Sequence, residues 1–294
     1  MKFAQIYKNL FLNVKNFVKL LNSLEELQNR ISNLEMHVPM LSDSTIDRIK
    51  HLSRILQPKE SGLKLIRVGN YGDGGYVIAL PQKKSLVLSL GVGYEISADI
   101  QLIQDFGCEI YAFDPFVENP NINLVEFKFY QIGCGETSGG RLNLEFKKLD
   151  QILKILPKNP DLAFIDIEGD EWLLAEDISL LNKLSQIVIE FHDLNKIIDD
   201  EFYYRALALF DAILKTHSPI HVHGNNDGQT VPIGGATWPG ILEITFLRND
   251  LLRGTEIDNN YGPFPTTLDS SNSLCRPDLD LQPFFGQNAK YREN

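Results

Sequence analysis

The sequence predicts an α/β domain with a doubly wound, mostly parallel, seven-stranded sheet, preceded by an amphipathic, coiled-coil-like helix. Three observations carry this reading. From residue 86 onward, short apolar runs alternate with helix-length segments, the pattern of a parallel sheet covered on both faces. The first of those runs leads straight into Gly91-Val92-Gly93, where two glycines let the backbone turn tightly after a strand. The chain has 294 residues, 43% hydrophobic and 23% charged, which suits a globular protein with a sizeable core.

Residues 1–40 stand apart. Leu20, Leu24, Leu27, Ile31, Leu34 and Val38 follow a 4-3-4-3-4 spacing that stops at Pro39, a heptad-like stripe. The stripe predicts a helix that joins copies of the chain in a homo-oligomer, with packing on its own domain as the alternative. Lys2, Lys8, Lys15 and Lys19, with no acidic residue before Glu25, also suit peripheral contact with an anionic membrane surface. Residues 41–294 form the main domain and its tail. Strands are expected at 86–90, 109–113, 128–132, 161–167, 186–191, 220–223 and 242–247, and helices at 96–106 and 201–216. The Gly- and Pro-containing connector between the last two strands predicts an antiparallel hairpin. The tail after Asp250, rich in Asn, Asp, Pro and Ser, should wrap the surface or cover a site.

The formal net charge of −11 argues for a small-molecule partner and against nucleic acid, whose binders usually show a basic face. Cys108, Cys134 and Cys275 form no CxxC pair, so reduced thiols in the cytoplasm are expected, at the inner face of the membrane if the N-terminal helix lies on it. No apolar run of about 18 residues occurs.

The glycine loop and the next strand end describe an adenosine pocket. An acidic residue about 20 positions on, Asp114 of Phe113-Asp114-Pro115, can bind both hydroxyls of a ribose. A dinucleotide site wants a third glycine, so that a helix N-terminus meets the pyrophosphate; this chain has Ser97 there, with Glu95 and Asp99 beside it. Those acids would repel a pyrophosphate but tolerate the sulfonium and ammonium of S-adenosylmethionine, which is therefore the expected cofactor. A tight βα turn without ligand is the plainer alternative. Upstream, Arg67-Val68-Gly69-Asn70-Tyr71-Gly72-Asp73-Gly74-Gly75-Tyr76-Val77 is either a shaped loop or an edge hairpin. In the first case Arg67 would hold the methionine carboxylate and Asp73 its ammonium. The expected cofactor residues are Arg67, Asp73, Gly91, Gly93, Glu95, Asp114 and Pro115.

The later strand ends carry Asp166 with Glu168, Glu190 with His192, and His221 with His223, followed by Asn225 and Asn226. Period-2 alternation puts each pair on one side. Methyl transfer to an alcohol needs in-line positioning and a base, so Asp166, His192 and His223 are the candidate catalytic residues, and Glu168, Asn225 and Asn226 the candidate substrate contacts. Asp166, Glu168, His192 and His223 are also candidate ligands of a divalent metal.

Together, the 67–77 stretch, Ser89-Leu90-Gly91-Val92-Gly93, Phe113-Asp114-Pro115, Ile165-Asp166-Ile167-Glu168-Gly169-Asp170-Glu171, Glu190-Phe191-His192, His221-Val222-His223-Gly224-Asn225-Asn226 and Leu242-Glu243-Ile244-Thr245-Phe246 resemble the FkbM-like methyltransferases over roughly residues 63–248. The resemblance implies a Rossmann-like, class I methyltransferase fold, S-adenosylmethionine as donor, and O-methylation of a sugar in a glycan, glycolipid or small metabolite. It implies that Gly91, Gly93 and Asp114 bind the donor and that Asp166 and Glu168 face the active site. Asp170 stands where that family usually has a small residue, which departs from its local packing. An NAD-dependent sugar oxidoreductase and a non-catalytic assembly scaffold are the alternative readings.

Overall fold

The computed structural model describes residues 43–118, 120, 122–135, 144–253, 262–285, 289 and 291. The helix expected at 1–40, with its oligomer and membrane roles, lies outside them. Helix α1 (Asp43–Ile55) precedes an antiparallel hairpin of β1 (Leu65–Val68) and β2 (Tyr76–Ala79). Next come β3 (Leu86–Leu90), α2 (Ser97–Phe106), β4 (Glu109–Phe113) and β5 (Phe127–Tyr130). A short ladder joins β6 (Gly133–Cys134) to β7 (Phe146–Lys147). Helix α3 (Leu149–Leu153) leads to β8 (Leu162–Ile165), β9 (Gln186–Phe191), α4 (Asp200–Leu214) and β10 (His217–Gly224). An antiparallel ribbon of β11 (Thr230–Ile233) and β12 (Ala236–Pro239) connects β10 to β13 (Leu242–Arg248), and α5 (Gln282–Phe285) lies in the tail.

The main sheet has seven strands in the order β10-β13-β9-β8-β3-β4-β5. Only β13 runs against its neighbours, β9 and β10; the β3, β4, β5, β8 and β9 pairings are parallel. The doubly wound, mostly parallel expectation is therefore met. Strands β3, β8 and β9 are buried at every position, as strands covered on both faces must be. Edge strand β5 is half-buried and carries Lys128, a charge that discourages further pairing. Strand β10 begins earlier than its apolar run because His217 is buried with Nε2 3.0 Å from the Leu184 carbonyl. That polar start hid it from a hydrophobicity pattern.

Two packings position the site. Ala98 and Leu102 of α2 are buried against Val87, Ile110 and Ala112 of the sheet, and the helix stops at Gly107, which adopts the left-handed conformation. On α4, the Asp199 carboxylate caps the first turn by accepting from the Phe202 N–H at 2.8 Å. Its Phe210 packs on Phe191 and Trp172 at ring distances of 4.9 and 5.7 Å. Trp172 and Trp238 are both core residues, 3% and 0% exposed, and neither presents a face to a sugar. The β1–β2 hairpin docks through the Gln186 amide, which pairs with both the N–H and the carbonyl of Ala79 at 2.8 and 2.9 Å. Among the described residues, no helix is long and apolar enough to cross a membrane. Nothing in the described structure supports the inner membrane face as the chain's location.

Candidate functional site

The chain winds outward from β3 to β5 and then returns to β8 on the other side of β3. The carboxyl ends of β3 and β8 therefore frame a topological switch point, where open α/β sheets bind ligands. A cavity of about 820 Å³ lies there, lined by residues that include Asp73, Gly91, Gly93, Glu95, Asp114, Pro115, Asp166 and Glu168. The volume suits a ligand of nucleoside size with room beside it, within the roughly 300–1,000 Å³ of small-molecule sites.

The glycine loop is built for close approach. At Gly91 (φ +75°) a Cβ would stand 1.5 Å from the Asp166 carbonyl oxygen, whereas at Gly93 (φ +57°) it would meet nothing within 4 Å. Gly91 thus lets β3 and β8 end side by side, and Gly93 borders open space. Asp114 fixes the loop: Gly93 N–H donates to one carboxylate oxygen at 2.9 Å, and Phe116 and Val117 N–H to the other at 2.7 and 3.0 Å. Glu95 accepts from Ser97 N–H at 2.9 Å and so opens α2. The 69–75 turn is held by α2 through Gly69 N–H to Gln101 and Asn70 N–H to Ser97, at 2.9 and 2.7 Å.

Arg67 does not line the cavity. Its guanidinium donates to the carbonyls of Asn70 and Gly72, each at 3.0 Å, so it braces the turn and is not placed to hold a ligand carboxylate. Asp73 does line the cavity, with Oδ1 3.3 Å from the Asn272 amide.

At the ends of β8 and β9 the structure brings Asp166, Glu168 and His192 together. His192 Nε2 stands 3.8 Å from Asp166, 3.6 Å from Glu168 and 3.9 Å from Glu190, and its Nδ1 is 3.4 Å from the fully buried Glu171. Glu171 also accepts from the backbone N–H groups of His192 and Gly169, at 2.5 and 2.8 Å. Burial pulls the His192 pKa down, but Glu171, Asp166 and Glu168 together carry it above the ordinary imidazole value. Burial raises Asp166 to about 7, offset in part by His192 and reinforced by Glu168 and Asp73. Glu190 is pushed well above the usual carboxylate range by burial and by Asp166 and Glu243. Ligand atoms of Asp166, Glu168 and His192 lie within 4.8 Å of one another, a set able to hold a divalent cation.

His223 is not part of this group. It is 2% exposed, with Nδ1 3.1 Å from Glu243 and Nε2 3.1 Å from Asp278 of the tail. Its place among the candidate catalytic residues and metal ligands is corrected: it is a buried clamp. Asn225 and Asn226 are likewise internal. Asn225 donates to Glu190 at 2.8 Å, and the Asn226 amide donates to the tail carbonyls of Ser273, Arg276 and Pro277 at 3.0–3.2 Å. The tail thus covers Asn226, and the Asn225 amide is spent on Glu190 inside the protein. Sequence reasoning passed over Tyr76, Ser89 and Phe116, which also line the cavity, because apolar or small residues inside strands and turns carry no signal of their own. It passed over Glu171 as well, which is visible only once the fold returns it beneath His192.

No family model and no curated protein matches the sequence. Among solved structures, a precorrin-6y C5,15-methyltransferase from Geobacter metallireducens is 15% identical over 57% of this chain and 82% of its own, with a TM-score of 0.35. A fibrillarin pre-rRNA processing protein of Methanococcus jannaschii is 11% identical over 58% and 70%, at 0.36. A Streptococcus pneumoniae protein described as a tRNA methyltransferase, in complex with S-adenosyl-L-methionine, is 9% identical over 62% and 74%, at 0.32. At these TM-scores the likeness carries no argument about activity, and the fold stands on the strand order: seven strands, mostly parallel, as in class I methyltransferases. One expectation is corrected here. The exclusion of nucleic acid is withdrawn: proteins of RNA processing and tRNA modification are among these structures, and a net charge describes the average surface and not one site.

Proposed function

We propose that the chain is an S-adenosylmethionine-dependent methyltransferase. The observation that carries this reading is the charge of the cavity. Among the described residues, its lining includes the carboxylates of Asp73, Glu95, Asp99, Asp114, Asp166, Glu168 and Asp170 and no lysine or arginine. A dinucleotide pyrophosphate would enter that field unpaired, at a high desolvation cost, which disfavours the oxidoreductase alternative. A ligand with a sulfonium and an ammonium is attracted by the same field. When bound, that donor supplies a methyl group on a positively charged sulfur.

The residues then divide the work. Asp114 keeps the loop fixed and, with three backbone N–H bonds already accepted, retains about one lone-pair site for a ribose hydroxyl, with Pro115 and Gly93 bordering the same space. The Glu171 carboxylate stands 3.4 Å from His192 Nδ1, placed to orient the ring as it closes on that nitrogen, which would leave Nε2 to take the proton of an acceptor hydroxyl. Asp166 and Glu168 flank that nitrogen and would stabilise the imidazolium that forms. Glu168 has a side chain 83% exposed and can reach an acceptor at the mouth. The finer reading is O-methylation of a sugar hydroxyl. It is supported by this wall of hydrogen-bond acceptors and by the resemblance to FkbM-like enzymes.

The test is transfer of a labelled methyl group from S-adenosylmethionine to a panel of glycans and nucleotide sugars. Transfer is expected, and His192→Gln should lower kcat by about 10²–10⁴-fold while donor affinity changes little. Transfer to RNA but to no sugar would overturn the acceptor assignment.

A further inference from the structure

We propose that the Tyr76 hydroxyl donates a hydrogen bond to the oxygen next to the one that is methylated, so that the site selects a sugar with neighbouring hydroxyls; this rests on the sugar acceptor proposed above. Tyr76 opens β2, directly after the 69–75 turn, and is half-buried. It lines the cavity, and its ring leans on Phe164 of β8 with centroids 5.2 Å apart. Among the described residues its hydroxyl has no hydrogen-bond partner, and unlike Asp166 Oδ1 it is not closed off from solvent. Burial first, then Asp166, Glu190, Glu243 and Asp73, hold its pKa well above the ordinary phenol value, so the group stays an O–H donor.

The carboxyl groups around the phenol make a donor valuable there. When ionised they accept hydrogen bonds and give none, and Glu190 and Glu243 are already held by the amides of Asn225 and Asn272, at 2.8 and 2.6 Å. The Ser89 hydroxyl is spent on Asp99. His192 Nε2 lies 3.8 Å from Asp166 and 3.9 Å from Glu190, and the phenol stands near the same two groups. One small acceptor can therefore meet both side chains. Its reacting oxygen passes a proton to His192 and electron density to the methyl carbon. A hydrogen bond donated to that oxygen would weaken in the transition state and slow the reaction. Donated to the neighbouring oxygen, the same bond fixes the acceptor without that cost.

The experiment takes the sugar of the panel that receives the labelled methyl group, locates the methylated oxygen, and compares that sugar with its monodeoxy forms lacking the hydroxyl on either side. Wild-type protein should lose about tenfold or more in kcat/KM on one of the two deoxy sugars, the cost of leaving a donor unpaired. Tyr76→Phe, which keeps the ring on Phe164, should lose the same factor on the intact sugar and nothing further on that deoxy sugar. Its thermal unfolding and its calorimetric affinity for S-adenosylhomocysteine should match those of the wild type. Equal kinetics of the two proteins on the intact sugar would reduce Tyr76 to packing. Losses that multiply would show that the neighbouring hydroxyl is read elsewhere, and a weakened affinity for S-adenosylhomocysteine would move the phenol to the methyl donor. Deoxy sugars that react as well as the intact one in the wild type would overturn this inference alone. Labelling of no sugar would remove the acceptor reading and this inference with it.

Discussion

Gly91 and Gly93 are two residues apart in one loop, yet the structure assigns them different duties. At Gly91 a side chain would drive into the Asp166 carbonyl, whereas at Gly93 only the left-handed backbone opposes one. Gly93→Ala should therefore cost about 1–2 kcal/mol, and Gly91→Ala distinctly more, because the ends of β3 and β8 must part. Thermal unfolding of the two variants checks this; equal losses would contradict it. The sequence shows that glycines are needed here but not what each one faces. The same holds for Arg67, whose residue type suits a ligand carboxylate but whose reach is spent on the carbonyls of its own turn. Arg67 ends up in strand β1 beside the turn, and where its side chain reaches depends on the turn geometry, which residue types alone do not set.

At the scale of elements, the segment 262–285 acts as a strap along the ends of β10 and β13. His221 and His223 share a strand face, as their spacing predicts, and both turn to strap carboxylates: Asp269 at 3.2 Å and Asp278 at 3.1 Å. Those partners lie 48 and 55 residues downstream, in a tail without apolar periodicity, so what covers the face was not legible. Burial lowers the His223 pKa, but Glu243, Asp278 and Asp269 raise it to about 10, against an ordinary value of 6.5. A pKa raised on folding gives stability that is complete below pH 6.5 and is lost as pH climbs through about 10. The unfolding midpoint of wild-type protein should thus fall more steeply from pH 6.5 to 10 than that of His223→Gln, the two curves converging at the alkaline end. Parallel curves would show that the clamp is not charged.

At the scale of the whole molecule, most of the sheet was legible. Strands covered on both faces read as unbroken apolar runs, and β3, β4 and β9 fall where those runs lie. The switch point followed from one strand entering a Gly-x-Gly turn, and the cavity lies beside that turn. The β11–β12 ribbon was less visible because it pairs only with itself and is half-exposed. Bulk charge misled where the nucleic-acid exclusion was concerned, because a net value of −11 describes the average surface and not the chemistry of one site. Local charge is the better guide, and on the proposed reading the cavity's carboxylates select a cationic ligand. The most direct measurement is calorimetric titration of the purified chain with S-adenosylmethionine and, separately, with NAD. Micromolar binding of S-adenosylmethionine and none of NAD is expected. Binding of NAD alone, or of neither, would contradict the account.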